Sequence, residues 1–180
     1  MTTHIALLRA VNISRNRAVK MPELRDFAKD LGFANVRTFI QSGNLVFKTS
    51  EPTGFALERL LEAEAAKRLG LQTDFIVRTA EEWDTIVARN PFPDEAKSDP
   101  GHLIVQFLKD EAEANKVKAL QAVIRGPEIL RADGKHLYIV YPDGMGKSKL
   151  TNTVIERALG LRGTARNWNT VLKLAAAGIA

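Results

Sequence analysis

The stretch Trp83-Asp84-Thr85-Ile86-Val87 is echoed near the end of the chain by Trp168-Asn169-Thr170-Val171-Leu172. In both stretches the bulky apolar residues fall at i, i+3 and i+4, which places them on one side of a helix. Each stretch also follows a short strand-like segment. The echo therefore predicts an internal duplication, with two related halves that each end in a helix.

Outward from these two helices, the hydrophobic spacing predicts the same order of elements in both halves. In the first half we predict strands over 4–10, 36–40, 44–48 and 73–77, and helices over 22–31 and 55–69. In the second half we predict strands over 102–108, 128–131, 136–141 and 163–166, and helices over 111–124 and 150–159. Each half has the order β-α-β-β-α-β followed by a helix, which is the ferredoxin-like arrangement.

This order predicts an α+β protein made of tandem ferredoxin-like units packed as one compact protein. We expect the first unit over residues 1–92 and the second over residues 93–180. The segment 90–101, which contains three prolines and several charges, is typical of a linker. Thr79 and Glu82 have the spacing of a capping box, which predicts that the first trailing helix begins there.

Composition excludes several kinds of site. The chain has no cysteine, which excludes disulfides, thiolate metal sites and cysteine nucleophiles. The three histidines, His4, His102 and His136, lack a second ligand at suitable spacing, so we expect neither a metal nor a cofactor. The apolar runs are too short to span a bilayer, and residues 1–4 show no signal-peptide pattern. We therefore expect a cytoplasmic protein with no membrane partner.

Positive charge is concentrated at the two ends of the chain. Residues 1–20 carry four cations and no acid, and residues 144–180 carry six cations and one acid. Residues 21–143 carry 16 basic and 20 acidic residues. If the two ends meet in the fold, they form a positive region that suits an anionic partner. The alternative is that these cations are ordinary solvated surface residues.

Several short motifs are spread along nearly the whole chain. They are Leu7-Leu8-Arg9-Ala10-Val11-Asn12, Lys20-Met21-Pro22-Glu23-Leu24-Arg25, Gln41-Ser42-Gly43-Asn44, Asn90-Pro91-Phe92, Tyr141-Pro142, Gly146-Lys147-Ser148-Lys149-Leu150 with Glu156-Arg157, and Thr164-Ala165-Arg166-Asn167-Trp168-Asn169-Thr170. Together these motifs resemble a bacterial family catalogued as domain of unknown function number sixteen-ninety-seven. The resemblance implies a two-part α+β fold of ferredoxin-like units. It carries no established activity, so no catalytic residue follows from it. The family usually has a small, glycine-rich turn where this chain has Ser14-Arg15.

The loop between the first strand and the first helix is a candidate anion site. It carries Arg9, Asn12, Arg15 and Lys20. Loops of this kind present backbone N–H groups and the positive end of a helix dipole, which suit phosphate or carboxylate. Alternatively, the loop cations are solvated and Arg9 pairs with a nearby acid.

A second candidate is Lys147, Ser148 and Lys149, which also follow a predicted strand and precede a helix. A phosphate-binding loop of the nucleotide triphosphatases requires glycine at position 141, where this chain has tyrosine. A simpler anion contact through these residues remains open. Alternatively, Ser148 is only the N-cap of the next helix.

Two further groups of polar residues flank predicted turns. Gln41, Ser42 and Asn44 surround a hairpin turn, where they either serve the turn or read the edge of a base. Asn167 suits the N-cap of the last helix, and Arg166 is the residue here that we most expect to face a ligand.

These observations leave three functions open. The leading hypothesis is non-enzymatic binding of a phosphate-bearing ligand, a nucleic acid or a nucleotide, at a basic site between the halves. The second is an enzyme acting on a phosphorylated small molecule, with Ser42 or Asn12 near the reacting atom. The third is a protein-interaction domain whose sheet edges pair with another chain. Neither catalytic residues nor an oligomeric state follow from the sequence.

Overall fold

The computed structural model describes residues 1–9, 19–39 and 43–179. The first half of the chain forms β1 (Thr2–Leu8), α1 (Met21–Asp30), β2 (Ala34–Phe39), β3 (Asn44–Thr49), α2 (Phe55–Leu69), β4 (Phe75–Thr79) and α3 (Ala80–Ala88). The second half forms α4 (Pro93–Ser98), β5 (Leu103–Leu108), α5 (Ala114–Val123), β6 (Ile129–Asp133), β7 (His136–Val140), α6 (Asn152–Leu159), β8 (Gly163–Asn167) and α7 (Trp168–Ile179). The predicted α+β class is confirmed.

The strands form two four-stranded antiparallel sheets. The first has the order β2-β3-β1-β4 and the second has the order β6-β7-β5-β8. In the first sheet β1 pairs with both β3 and β4, and in the second β5 pairs with both β7 and β8. The first strand of each half therefore lies in the interior of its sheet, and the two sheets share one strand order.

The chain divides into two compact units, Met1–Thr85 with Leu174–Ala180, and Ile86–Lys173. In the first unit, α1 and α2 pack on one face of the sheet, and the core residues include Ala6, Leu24, Phe47, Leu57 and Leu61. In the second unit, α5 and α6 do the same, and the core residues include Ile104, Leu108, Leu120, Ile139 and Ile155. The apolar spacing of each helix therefore corresponds to the face that it buries.

Helix boundaries follow from identifiable caps. The helix predicted over 55–69 is α2, which lies between Gly54 and Gly70, and Gly70 ends it in the left-handed conformation with a φ of 62°. The predicted linker over 90–101 contains α4 and a 3₁₀ turn, Pro100–His102. Residues 12–17, in the predicted loop between the first strand and the first helix, lie outside the described residues. No helix in the described ranges is long and apolar enough to cross a membrane.

The two tryptophans of the repeated sequence pattern do not occupy equivalent positions in their helices. The predicted capping box is present, because Glu82 N donates to Thr79 Oγ1 over 3.1 Å and Thr79 N donates to Glu82 Oε2 over 2.8 Å. Trp83 is consequently the fourth residue of α3, whereas Trp168 is the first residue of α7. Both are buried. The likeness of the two halves therefore lies in the order of their elements.

Candidate functional site

The connection between β7 and α6 is held at both ends by one buried tyrosine. Tyr141 N donates to His102 O over 2.8 Å, and the Tyr141 hydroxyl donates to Leu150 O over 2.9 Å. Burial raises the pKa of this hydroxyl, so it remains a protonated donor at neutral pH. The chain between these points therefore forms a closed loop, which includes the 3₁₀ turn Met145–Lys147.

Ser148 joins this loop to the connection between α5 and β6. Its Oγ donates to Glu128 Oε1 over 2.5 Å and accepts from Leu150 N over 3.0 Å. Ser148 is not the N-cap of α6, which corrects that alternative. The cap is Thr151, whose Oγ1 accepts from Val154 N over 3.2 Å. The hydroxyl of Ser148 instead bridges two loops of the second unit.

The two loops line a cavity of about 340 Å³, which we call the basic recess. Arg125, Lys147 and Lys149 line it, and all three residues are exposed. Glu128 and Asp143 supply two acids. Apolar side chains complete the wall: Val123, Ile124, Pro127, Leu150 and Val154. Among the described residues, none of the three cations forms an ion pair.

This arrangement favours a ligand that is partly anionic and partly apolar. Arginine and lysine make charge-assisted hydrogen bonds to phosphate or carboxylate oxygens, and the planar guanidinium group of arginine can form two parallel bonds to one such group. The aliphatic wall suits a flat apolar group such as a nucleobase, and the volume is within the range of small-molecule pockets. In the described residues, no group of three or more His, Asp or Glu could hold a metal ion.

The residues predicted in the first strand-to-helix loop are only partly described. Arg9 Nη1 lies 3.7 Å from Asp74 Oδ2, so the pairing that we kept as an alternative is present. Lys20 is exposed at the start of α1, where its N–H donates to Glu23 Oε2 over 3.3 Å. Asn12 and Arg15 lie outside the described residues, as do Gln41 and Ser42.

The remaining predicted residues have local structural contacts. Asn44 Nδ2 donates to Phe39 O over 2.9 Å across the β2–β3 hairpin, and Asn167 Oδ1 accepts from Thr170 N over 3.0 Å at the start of α7. Arg166 is 7% exposed, and its Nη1 donates to Thr164 Oγ1 and Ala165 O. Burial lowers the pKa of Arg166 to about 10, so the guanidinium remains protonated at neutral pH.

Of the predicted site residues, the structure therefore brings Lys147, Ser148 and Lys149 together at one cavity. Sequence reasoning missed Arg125 and Glu128, which belong to the same cavity. The available signal was a cation beside Gly126 and Pro127 directly after a predicted helix. That signal does not reveal which other loop lies beside it.

The comparisons with known proteins define a family and a fold. The chain belongs to the family described as "Protein of unknown function (DUF1697)", whose model matches residues 1–138, and this confirms the resemblance. It is also similar in structure to the conserved bacterial protein SP0830 from Streptococcus pneumoniae. The two chains are 22% identical, the match covers 100% of this chain and 99% of that one, and the TM-score is 0.75. No curated protein matches the chain.

Proposed function

We propose that this protein binds a phosphate-bearing ligand, a nucleotide or a segment of nucleic acid, in the basic recess of its second unit. The observation that carries the proposal is the meeting of Arg125, Lys147 and Lys149 at one cavity without an ion-pair partner among the described residues. An exposed cation without an internal partner is available to an external anion at little desolvation cost.

The shape and lining of the recess support a nucleotide more than inorganic phosphate. A volume of about 340 Å³ exceeds what a single phosphate group needs. The exposed aliphatic side chains of Val123 and Val154 lie on the same cavity, which suits a base or sugar attached to the phosphate. A contribution to ligand binding was also predicted for four other cations, and it stays a prediction for each of them: Arg9, Arg15, Lys20 and Arg166.

The test is a titration of the full chain with adenosine 5′-monophosphate and with a single-stranded ribo-oligonucleotide, at low and high salt. We expect affinity to fall as salt rises, because cations that neutralise phosphate release counterions. The Lys147→Ala/Lys149→Ala variant should bind at least about tenfold more weakly, which corresponds to about 1.4 kcal/mol. The matched control is Lys118→Ala/Lys135→Ala, which removes the same charge from exposed positions outside the recess.

An absence of binding by the wild-type chain would contradict the proposal. Binding whose affinity does not change with salt would also contradict the proposal. So would an equal loss of affinity in the two double variants. The last outcome would mean that only net charge matters.

A second candidate function, an enzyme acting on a phosphorylated small molecule, is favoured by one contact in the recess. The Ser148 hydroxyl donates to the Glu128 carboxylate over 2.5 Å, which places a hydroxyl nucleophile beside a base. The titration mixtures described above also distinguish an enzyme from a binding module. Release of inorganic phosphate by wild type, lost in the Ser148→Ala variant, would identify an enzyme. Binding without release of phosphate supports a binding module.

We also propose that each unit is a ferredoxin-like fold and that the chain arose by internal duplication. The shared strand order of the two sheets supports this, as does the repeated element order β-α-β-β-α-β-α, to which the described residues add α4 and two 3₁₀ turns.

A further inference from the structure

A second recess adjoins the basic recess in the same unit. It has a volume of about 270 Å³, and its wall includes Arg131, Gln121 and Ile129. Ile124, Gly126 and Glu128 line both recesses. The two recesses therefore form neighbouring compartments with a shared wall rather than two separate sites.

The charges of the two compartments alternate. The basic recess has net positive charge, because it carries Arg125, Lys147 and Lys149 against one acid of its own, Asp143. The shared wall carries the Glu128 carboxylate, and the second recess carries Arg131. A carboxylate only accepts hydrogen bonds and repels phosphate, so the ligand group beside Glu128 must be a hydroxyl or amino donor. Hydrogen bonding from Ser148 to Oε1 holds this carboxylate in place.

Arg131 can bind an anion while keeping its internal contact. Its Nη1 donates to Leu130 O over 3.0 Å, and the side chain is exposed. A guanidinium has five N–H donors, so the remaining donors can point to a ligand. Gln121 Nε2 donates to the same carbonyl over 2.7 Å, so this oxygen keeps a partner when Arg131 is replaced.

Residue 126 in the shared wall is a glycine, and the Glu128 carboxylate lies close to its backbone. A Cβ built on Gly126 would overlap the carboxylate of Glu128. The backbone therefore leaves room for Glu128 to lie across it, between the two recesses.

From this alternation we infer that the ligand carries phosphates on both sides of one sugar, as in a ribonucleoside 3′,5′-bisphosphate. This compound resembles one nucleotide of an RNA strand, where each ribose lies between two phosphates and keeps its 2′-hydroxyl. One phosphate binds in the basic recess, a sugar hydroxyl donates to Glu128, and the other phosphate binds Arg131. The inference rests on the proposed function and specifies its ligand.

The experiment compares three probes on the full chain: adenosine 5′-monophosphate, adenosine 5′-diphosphate and adenosine 3′,5′-bisphosphate. The diphosphate adds a second phosphoryl group on the same side of the sugar, so it controls for the number of phosphoryl groups. We expect the 3′,5′-bisphosphate to bind at least tenfold more tightly than either other probe. Arg131→Ala should remove this advantage. Arg157→Ala, an exposed arginine on α6 outside both recesses, is the matched control.

The outcomes separate the inference from the proposed function. If the monophosphate binds but the 3′,5′-bisphosphate binds no more tightly than the diphosphate, the two-phosphate ligand is wrong and the basic recess stands. If the bisphosphate is preferred but Arg131→Ala retains the preference, the role of the second recess is wrong. If no probe binds, the proposed function fails and the inference fails with it.

Discussion

His4 is a fully buried histidine in the middle of a sheet. Its Nδ1 lies 3.0 Å from Thr2 O, and because a carbonyl only accepts, Nδ1 carries the proton. Its Nε2 is buried without a hydrogen-bond partner in the described structure, and the ring stacks on Phe47 at 5.7 Å. Burial lowers the pKa of His4, outweighing the Thr2 carbonyl and the charge of Glu82, which raise it. The neutral imidazole is therefore the form that the fold stabilises.

This burial predicts a loss of stability in mild acid. The unfolded histidine titrates near pH 6.5, and the folded pKa is lower, so below about pH 6.5 the unfolded state binds a proton that the folded state does not. The contribution of neutral His4 to the free energy of unfolding is therefore fully present above about pH 6.5. It should be lost as the pH falls toward the pKa of His4 in the folded protein. The loss should reach at most about 1.4 kcal/mol per pH unit. Urea denaturation between about pH 8 and pH 5 measures it.

The comparison variant is His4→Phe, which keeps an aromatic ring against Phe47 and removes the titrating group. The free energy of unfolding of this variant relative to wild type should increase as the pH falls. Groups that titrate in both proteins contribute equally and cancel in the difference. Parallel pH profiles for the two proteins would show that His4 does not titrate as its burial requires.

At the scale of single residues, the sequence predicted contacts between neighbours in the chain but not contacts that depend on the fold. Asn167 was expected to cap a helix and does so, because an N-cap is a local feature of the chain. Arg166 donates to a carbonyl at the edge of β8, and only the strand order reveals that β8 is an edge. Arg125 was missed because its neighbours in the recess come from another loop.

Among the described strands, three of the four at the sheet edges, β4, β6 and β8, have backbone groups that hydrogen-bond to side chains. On β4, Val77 N donates to Glu58 Oε1 over 2.9 Å, and Arg78 Nη1 donates to Val77 O over 2.9 Å. On β8, Gly163 N donates to Glu156 Oε1 over 3.0 Å, and Arg166 covers the carbonyl of Ala165. On β6, Gln121 and Arg131 cover the carbonyl of Leu130. An added strand would have to displace these contacts, which weighs against a function based on edge pairing.

The contact between α2 and β4 includes a buried ion pair, Glu58 with Arg78. Arg78 Nη1 lies 3.8 Å from Glu58 Oε1, and both side chains are under 5% exposed. Burial lowers the pKa of Arg78, and the charges of Glu58 and Glu82 oppose this effect. Arg78→Met should therefore cost about 3 kcal/mol or more, because it leaves the Glu58 charge buried without this partner.

The double variant Glu58→Leu/Arg78→Met should recover part of that loss, giving a coupling energy of about 0.5–3 kcal/mol in a double-mutant cycle measured by chemical denaturation. The control is the exposed pair Glu64–Arg68 on the same helix, with an N–O distance of 2.6 Å. Arg68→Met should cost much less than Arg78→Met because water screens the exposed pair. Equal costs at Arg78 and Arg68 would contradict the role of burial.

Element types were predictable, whereas some burial within them was not. The 3.6-residue spacing of leucines identified α2 with its observed bounds. The same spacing gave no reason to bury Glu58, which is 2% exposed. Its burial follows from the unpaired N–H of Val77 at the edge of β4, a requirement that arises only once the sheet has formed.

At the scale of the whole molecule, the sequence predicted the repeated order of elements. It did not predict to which unit the last residues of the chain belong. Leu174–Ala180 belong to the same compact unit as Met1–Thr85. Arg37 Nη2 donates to Ala177 O over 2.5 Å across 140 residues of sequence. A Cβ on Gly178 would lie 3.4 Å from Ala80 Cβ and 3.6 Å from Ile5 Cδ1. Hydrophobic spacing carries no information about such distant contacts.

This grouping predicts that a change near the end of the chain destabilises elements near its beginning. Leu174 is fully buried and Leu172, two residues earlier on α7, is 43% exposed. Leu174→Ala should cost about 2–5 kcal/mol through the lost burial and the cavity left behind, whereas Leu172→Ala should cost less than about 1 kcal/mol. Chemical denaturation of both variants measures the difference.

Hydrogen exchange then locates the effect. In Leu174→Ala, amides of β1 and β2 should lose protection first, because α7 contacts Ile5 and Arg37 through its last residues. Amides of β5 and β7 should keep more of their protection, since their core residues belong to the other unit. Loss of protection confined to β5–β8 would mean that the end of α7 stabilises the second unit instead, and equal costs for the two leucine variants would contradict the role of burial at Leu174.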